Sequence, residues 1–99
     1  MSRSIDYRKA LIKSLKDPKE AAAYFAAILE ECKECDEEES QKLLLLALKN
    51  LTEAQGGIAK LAKKTGFGRE SLYKTLSAKG NPKLSTLITV TQALLPRRS

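Results

Sequence analysis

The chain has no histidine and no tryptophan, and only two cysteines and one methionine in 99 residues. Without histidine, the commonest general base and the commonest metal ligand are both missing, which removes most hydrolase and zinc-enzyme readings. The two thiols form a single Cys32-Lys33-Glu34-Cys35 spacing. A structural zinc site needs four ligands, and no further Cys or His exists to complete one. A dithiol redox centre wants this spacing at a helix N-terminus, where the dipole favours the thiolate. Here the pair falls near an expected helix C-terminus among Glu30, Glu31, Glu34 and Asp36, which raise a thiol's pKa. Ordinary reduced thiols are expected, with no metal and no cofactor.

Long apolar runs are missing as well. The longest mostly apolar stretch, Ala21 to Leu29, is nine residues, against about 18 needed to span a bilayer. Residues 1–15 lack the long apolar run and small-residue cleavage site of a secretory signal. A soluble, cytoplasmic protein with no membrane partner is expected. No nucleophile has a base beside it in the pattern, and Gly56-Gly57 lacks the Gly-Lys-Ser/Thr continuation of a nucleotide loop. Enzymatic activity is therefore not expected.

The scarcest thing in the second half is negative charge. Residues 1–50 carry nine Lys/Arg against ten Asp/Glu, a net of −1; residues 51–99 carry nine against two, Glu53 and Glu70, a net of +7. An electrically split chain points to two surfaces with different partners, a polyanion for the basic one. At this length only about two-thirds of the unfolded surface can be hidden, which allows one modest core and a single domain over 1–99.

The periodicity is helical throughout, and an all-α bundle of five or six helices follows. Tyr7, Leu11 and Leu15, with Ile12 beside them, mark a short first helix. Asp17-Pro18-Lys19-Glu20 reads as the next helix start, with Asp17 as cap, Pro18 at the first position and Glu20 closing a capping box. Ala21, Phe25, Ile28, Leu29 and Cys32 give that helix its buried face. Residues 30–39 hold seven acids and one Lys, a solvated connection until Asp36 and the acids after it suit another N-terminus. The third helix runs from about Glu37 to Ala54 with Leu44, Ala47, Leu48 and Leu51 inward. Leu43 to Leu46 is wider than one face requires, so part of it packs on the first two helices or on another chain. Gln55-Gly56-Gly57 ends the helix through glycine's left-handed C-cap conformation. Residues 1–55 thus form an N-terminal set of helices, 56–95 a second region, and 96–99 a frayed tail.

Ile58 to Leu76 is where pattern becomes chemistry. Two short helices crossing steeply need a small residue where their backbones approach, which is Ala62, and a turn residue free to take positive φ four positions later, which is Gly66. Phe67, Leu72, Leu61 and Leu76 supply the apolar wedge. This set meets the requirement of a helix-turn-helix. With Leu72 and Leu76 inward, Arg69, Glu70, Tyr73 and Lys74 point outward. Arg69 suits a bidentate grip on guanine, Glu70 an acceptor role toward cytosine, and Lys74 a guanine or phosphate; Tyr73 suits a thymine methyl or phosphate. The alternative is an ordinary solvated face in which Glu70 and Lys74 pair at i,i+4. Phosphates are expected at backbone amides of helix starts, at Gly57 and Ile58 and at Ser85 and Thr86, with Lys60, Lys79, Asn81 and Lys83 flanking. Ala78 to Lys83 reads as a loop around Asn81-Pro82. Ser85 then caps a last helix with Leu87, Ile88, Thr91, Ala93 and Leu94 in register.

Three runs carry a resemblance: Asp17-Pro18-Lys19-Glu20-Ala21-Ala22-Ala23-Tyr24, Leu43 to Ala54, and Gly56-Gly57-Ile58-Ala59-Lys60-Leu61-Ala62. So do Gly66-Phe67-Gly68-Arg69-Glu70-Ser71-Leu72-Tyr73-Lys74-Thr75-Leu76-Ser77 and Gly80-Asn81-Pro82-Lys83-Leu84-Ser85-Thr86-Leu87. Across residues 5 to 95 the chain resembles the addiction-module antidote family, bacterial antitoxins whose DNA-binding domain is similar to phage lambda repressor and Cro. The resemblance implies a chain that neutralises a RelE-like, messenger-RNA-cleaving toxin and represses their shared operon as a homodimer on a palindromic double-stranded DNA operator. It places the family's recognition helix at Arg69 to Leu76, with base reading by Arg69, Glu70 and Lys74. Gly68 departs from the Ser or Asn cap of many relatives, the chain stops where relatives often continue as a strand, and the acidic stretch Glu30 to Glu39 is long. Two other readings compete: a free-standing phage-type repressor without a toxin, and an interaction protein that chiefly sequesters a basic toxin with its acidic half.

Overall fold

The computed structural model describes residues 3–77 and 82–95, with side chains from residue 7 onward. Among these residues there are six helices and no strand: α1 (Arg3–Ser14), α2 (Pro18–Cys32), α3 (Glu37–Ala54), α4 (Gly57–Thr65), α5 (Arg69–Thr75) and α6 (Leu84–Leu94).

The starts of α2 and α3 follow from their aspartates. Asp17 is extended and its carboxylate accepts from the Lys19 N–H at 2.9 Å, with Pro18 in the first helical position. The Asp17 N–H donates to the Ser14 carbonyl, the last turn of α1, so it is already engaged and Glu20 does not close a capping box through it. Asp36 accepts from the Glu39 N–H at 2.8 Å, and Glu37, Glu38 and Glu39 fill the first turn of α3, where the dipole favours acids. Between the two helices the chain is clasped twice. Ser40 Oγ donates to the Cys32 carbonyl at 2.9 Å, and the Cys32 thiol donates to the Ser40 carbonyl at 3.6 Å.

α3 is the axis of the fold, packing on α1, α2, α4 and α6. Its Leu48 and Leu51 meet Leu15, Ala21, Leu61, Leu72, Leu76, Val90 and Leu94 in one buried cluster. Leucines buried this completely each contribute about 1.5–3 kcal/mol relative to exposure. Gln55 Nε2 donates to the Leu94 carbonyl, fastening the end of α3 to the end of α6.

Several inward positions differ from the pattern. Tyr7 is 70% exposed: among the described side chains of α1 the core contact is made by Leu11, Ile12 and Leu15, and Tyr7 stands outside it in solvent. Leu29 is also exposed, on the flank of α2 rather than its buried face. In the four-leucine run Leu45 is the buried member, Leu43 and Leu44 are half-buried, and Leu46 is exposed. In α6 Leu94 is buried as the spacing predicts and Val90 is buried with it, whereas Ile88 faces out. Ser85 is not the cap: Lys83 is, without a side-chain bond, because the chain turns helical immediately after Pro82-Lys83. Ser85 lies inside the first turn, where its carbonyl accepts from Thr89 Oγ1 at 3.0 Å.

Candidate nucleic-acid interface

α3 stops at Gln55 and the chain reverses through Gly56, φ 112°, before α4 begins at Gly57. α4 in turn ends on Gly66, φ 82°, whose N–H donates to the Ala62 carbonyl at 2.8 Å. Thr65 stiffens this turn. Its hydroxyl donates to the Leu61 carbonyl at 2.9 Å and accepts from the Phe67 N–H at 3.2 Å. Phe67 and Ala62 pack against the core, and α5 starts after an extended Gly68 that caps without a side chain.

α4 and α5 therefore pack against each other across a turn of three residues, with Leu61, Leu72 and Leu76 buried between them and α3. Arg69, Glu70, Tyr73 and Lys74 are all exposed; Tyr73 is 63% exposed. With i, i+1, i+4 and i+5 spacing they share one outward face of α5. A shallow cleft brings Tyr73 and Ser77 together with Gly57 and Ile58 at the start of α4 and Lys49 of α3. On the other flank Arg69 lies in a groove with Lys60 and Lys63.

Gly57 and Ile58 thus sit in the first turn of α4, whose early N–H groups have no intrahelical acceptor. Lys83, Ser85 and Thr86 stand together at the start of α6, with Lys83 and Ser85 exposed and Thr86 half-buried. Lys60 is exposed on α4. Lys79 and Asn81 lie outside the described residues. Neither Lys49 nor Lys63 was anticipated as part of this surface. Lys49 belongs to a helix read only for its buried side, and Lys63 was hidden in a run of lysines with no distinguishing spacing.

A family model described as a probable addiction module antidote protein matches residues 7–97. The chain belongs to this family. An uncharacterized protein of Haemophilus influenzae is 38% identical over 58 residues, which covers 59% of this chain and 59% of that relative. No solved structure matches the chain. The antidote family covers nearly the whole length, α1 to α6, so the α4–α5 pair and the acidic α2–α3 turn both fall inside the matched region.

The acidic end is built differently from the α5 face. Glu30, Glu31, Glu34, Asp36, Glu37, Glu38 and Glu39 crowd the α2–α3 turn, relieved by Lys33 on Glu30 at 3.2 Å and Lys42 on Glu38 at 3.9 Å. Cys35 is half-buried there, its thiol donating to the Glu31 carbonyl at 3.5 Å. Desolvation first, then the groups around it (Glu39, Cys32, Glu31 and Asp36), push the Cys35 thiol above its ordinary pKa. That is the reverse of the activation a redox or metal-binding thiolate requires. No described helix is long and apolar enough to cross a membrane.

Proposed function

We propose that this antidote-family chain is a sequence-specific DNA-binding antitoxin that represses its own operon and neutralises a RelE-like toxin. α4 and α5 act as a helix-turn-helix of the lambda repressor–Cro kind. α5 enters the major groove with Arg69, Glu70 and Lys74 on base edges and Tyr73 on a thymine methyl or phosphate. The amides of Gly57 and Ile58, and those of Ser85 and Thr86, hold phosphates, with Lys60, Lys79, Asn81 and Lys83 beside them. The reading requires no catalytic group. The observation that carries it is the separation across α5: Leu72 and Leu76 are 0% and 6% exposed, while four groove-compatible side chains stand together on the opposite face.

The acidic α2–α3 turn supports the toxin half of the reading. A protein that cleaves RNA must hold a polyanion and so presents cations, and charge complementarity would speed its capture. The antitoxin acts as a homodimer, placing two α5 helices about 34 Å apart on a palindromic site.

The decisive experiment measures binding to duplex DNA from upstream of the chain's own gene during a potassium chloride titration. The logarithm of affinity falls with that of salt by about 0.9 per neutralised phosphate. Arg69→Ala weakens binding and relaxes preference at one base position by about 1–3 kcal/mol. Unchanged base preference in that variant removes α5 from the groove. Co-purification of a small basic protein from the adjacent reading frame tests the toxin half.

A further inference from the structure

The sequence divides into a −1 half and a +7 half, but the fold does not keep that division. Lys33 and Lys42 stay with the acids of the α2–α3 turn, on Glu30 and Glu38, whereas Lys9, Lys13 and Lys16 of α1 line grooves that lead to the basic second half. Three grooves adjoin one another. In the first, Lys9, Lys13 and Lys16 line a groove of α1 together with Arg8 and Glu53. Lys16 and Glu53 also border the next, where Lys60 and Lys64 of α4 close the opposite wall. Lys60 then borders the third, which ends at Lys63 and Arg69.

Lys9, Lys13, Lys16, Lys60, Lys63 and Arg69 are all exposed. None of them makes an ion pair among the described side chains. Among the described residues that line the three grooves the one carboxylate is Glu53, and Arg8 holds it at 3.0 Å. Exposed cations in line, with the carboxylate that lines their grooves already neutralised by Arg8, form an electrostatic footprint of one sign.

We propose that this band, from the start of α5 across α4 to α1, is a track for the sugar-phosphate backbone of duplex DNA flanking the sequence that α5 reads. The inference rests on the reading of α5 as a groove-binding helix, and it adds α1, which no part of that reading requires. The occupant follows from continuity: Arg69 belongs both to the band and to the reading face, so one ligand running off α5 meets the band next. Duplex DNA carries one negative charge per about 1.7 Å of axis along its whole length, matching a band without alternation of sign. The contacts are to phosphates and carry no sequence preference.

The test uses the full-length chain and a random-sequence duplex of 24 base pairs, with affinity measured from low to high potassium chloride. In the triple variant Lys9→Gln, Lys13→Gln, Lys16→Gln the salt slope is shallower than wild type by up to about 2.7, at about 0.9 per lost contact. Lys63→Gln alone lowers it by about 0.9. Circular dichroism melting of both variants tracks wild type, since the substituted side chains are exposed. An unchanged slope in the triple variant overturns the track while leaving α5 intact as the reading element. No wild-type binding to any duplex overturns both. Loss of polyglutamate binding with the DNA slope retained assigns the band to an acidic protein and overturns the proposal.

Discussion

Asn50 and Tyr24 join α3 to α2 through their side chains: the Asn50 amide donates to the Tyr24 hydroxyl at 3.1 Å, and Asn50 itself is 4% exposed. Its Oδ1 is buried without a partner among the described residues. A buried amide with half its hydrogen-bonding capacity unmet is costly, and the single bond to Tyr24 is what offsets part of that cost.

Tyr24→Phe therefore leaves the whole amide unpaired and destabilises the fold by about 1–3 kcal/mol. Asn50→Leu removes the polar group itself and is milder, and Tyr24→Phe added to Asn50→Leu has little further effect. Urea denaturation of the two single variants and the double gives the coupling directly. Additive losses would show that the pair acts independently and that the bond is not what holds the seam.

The two glycines that set the corners of α4 differ in what they tolerate. Gly66 has φ 82°, and a Cβ there meets nothing within 4 Å. Gly66→Ala then loses only the backbone preference, about 1–2 kcal/mol. Gly56 has φ 112°, farther from any well of an L residue, and its Cβ would stand 2.6 Å from Lys60 Cδ and 3.2 Å from Lys60 Cβ. Gly56→Ala is thus the more damaging of the two, since Lys60 must shift as well. Thermal melts order the variants; the reverse order contradicts the steric argument.

Cys35 offers a chemical test of the acidic turn. A raised pKa means less thiolate at a fixed pH, so at pH 8 Cys35 alkylates with iodoacetamide more slowly in the folded chain than in the urea-unfolded one. The difference closes as pH rises past the folded-state value. Added salt narrows it in part by screening the Glu39, Glu31 and Asp36 carboxylates, while the desolvation effect persists. Site-resolved mass spectrometry separates Cys35 from Cys32, and a folded Cys35 that reacts faster than the unfolded one refutes the reading.

What the sequence reveals and what it hides follow local and non-local physics. The start of α3 and the end of α4 are legible because they are written in a side-chain cap and a glycine: Asp36 accepts from the Glu39 N–H, and Gly66 takes positive φ. The outward placement of Arg69, Glu70, Tyr73 and Lys74 follows from Leu72 and Leu76 alone, by helical spacing. Tyr7 kept the right spacing, yet periodicity carries no information on where the core contact of α1 stops. Ser85 has the right chemistry for a cap but stands two residues too late, after a helix that Lys83 already starts. The convergence of Lys16 with Lys60 depends on packing across 44 positions of chain, which no local pattern encodes.

α6 offers a test of the homodimer proposed above. From Leu84 to Leu94 it has no charged side chain, in a chain of which 30% is charged. Leu84 and Ile88, one turn apart, are 72% and 48% exposed. Two copies of a +6 chain repel wherever their cations approach, and burying a charge without a partner adds to that penalty. The uncharged stripe of α6 avoids both, so it is the face on which a second copy is expected to pack. Sedimentation at micromolar concentration is expected to give twice the 10.9 kDa chain mass. Ile88→Glu shifts the chain to monomer without loss of its helical circular-dichroism signal, because that side chain is not in the core. The variant also loses tight binding to a palindromic operator while keeping weak binding to a half-site, because each copy retains its own α5 and the start of α6 is untouched. A dimer that survives the glutamate places the interface elsewhere on the surface.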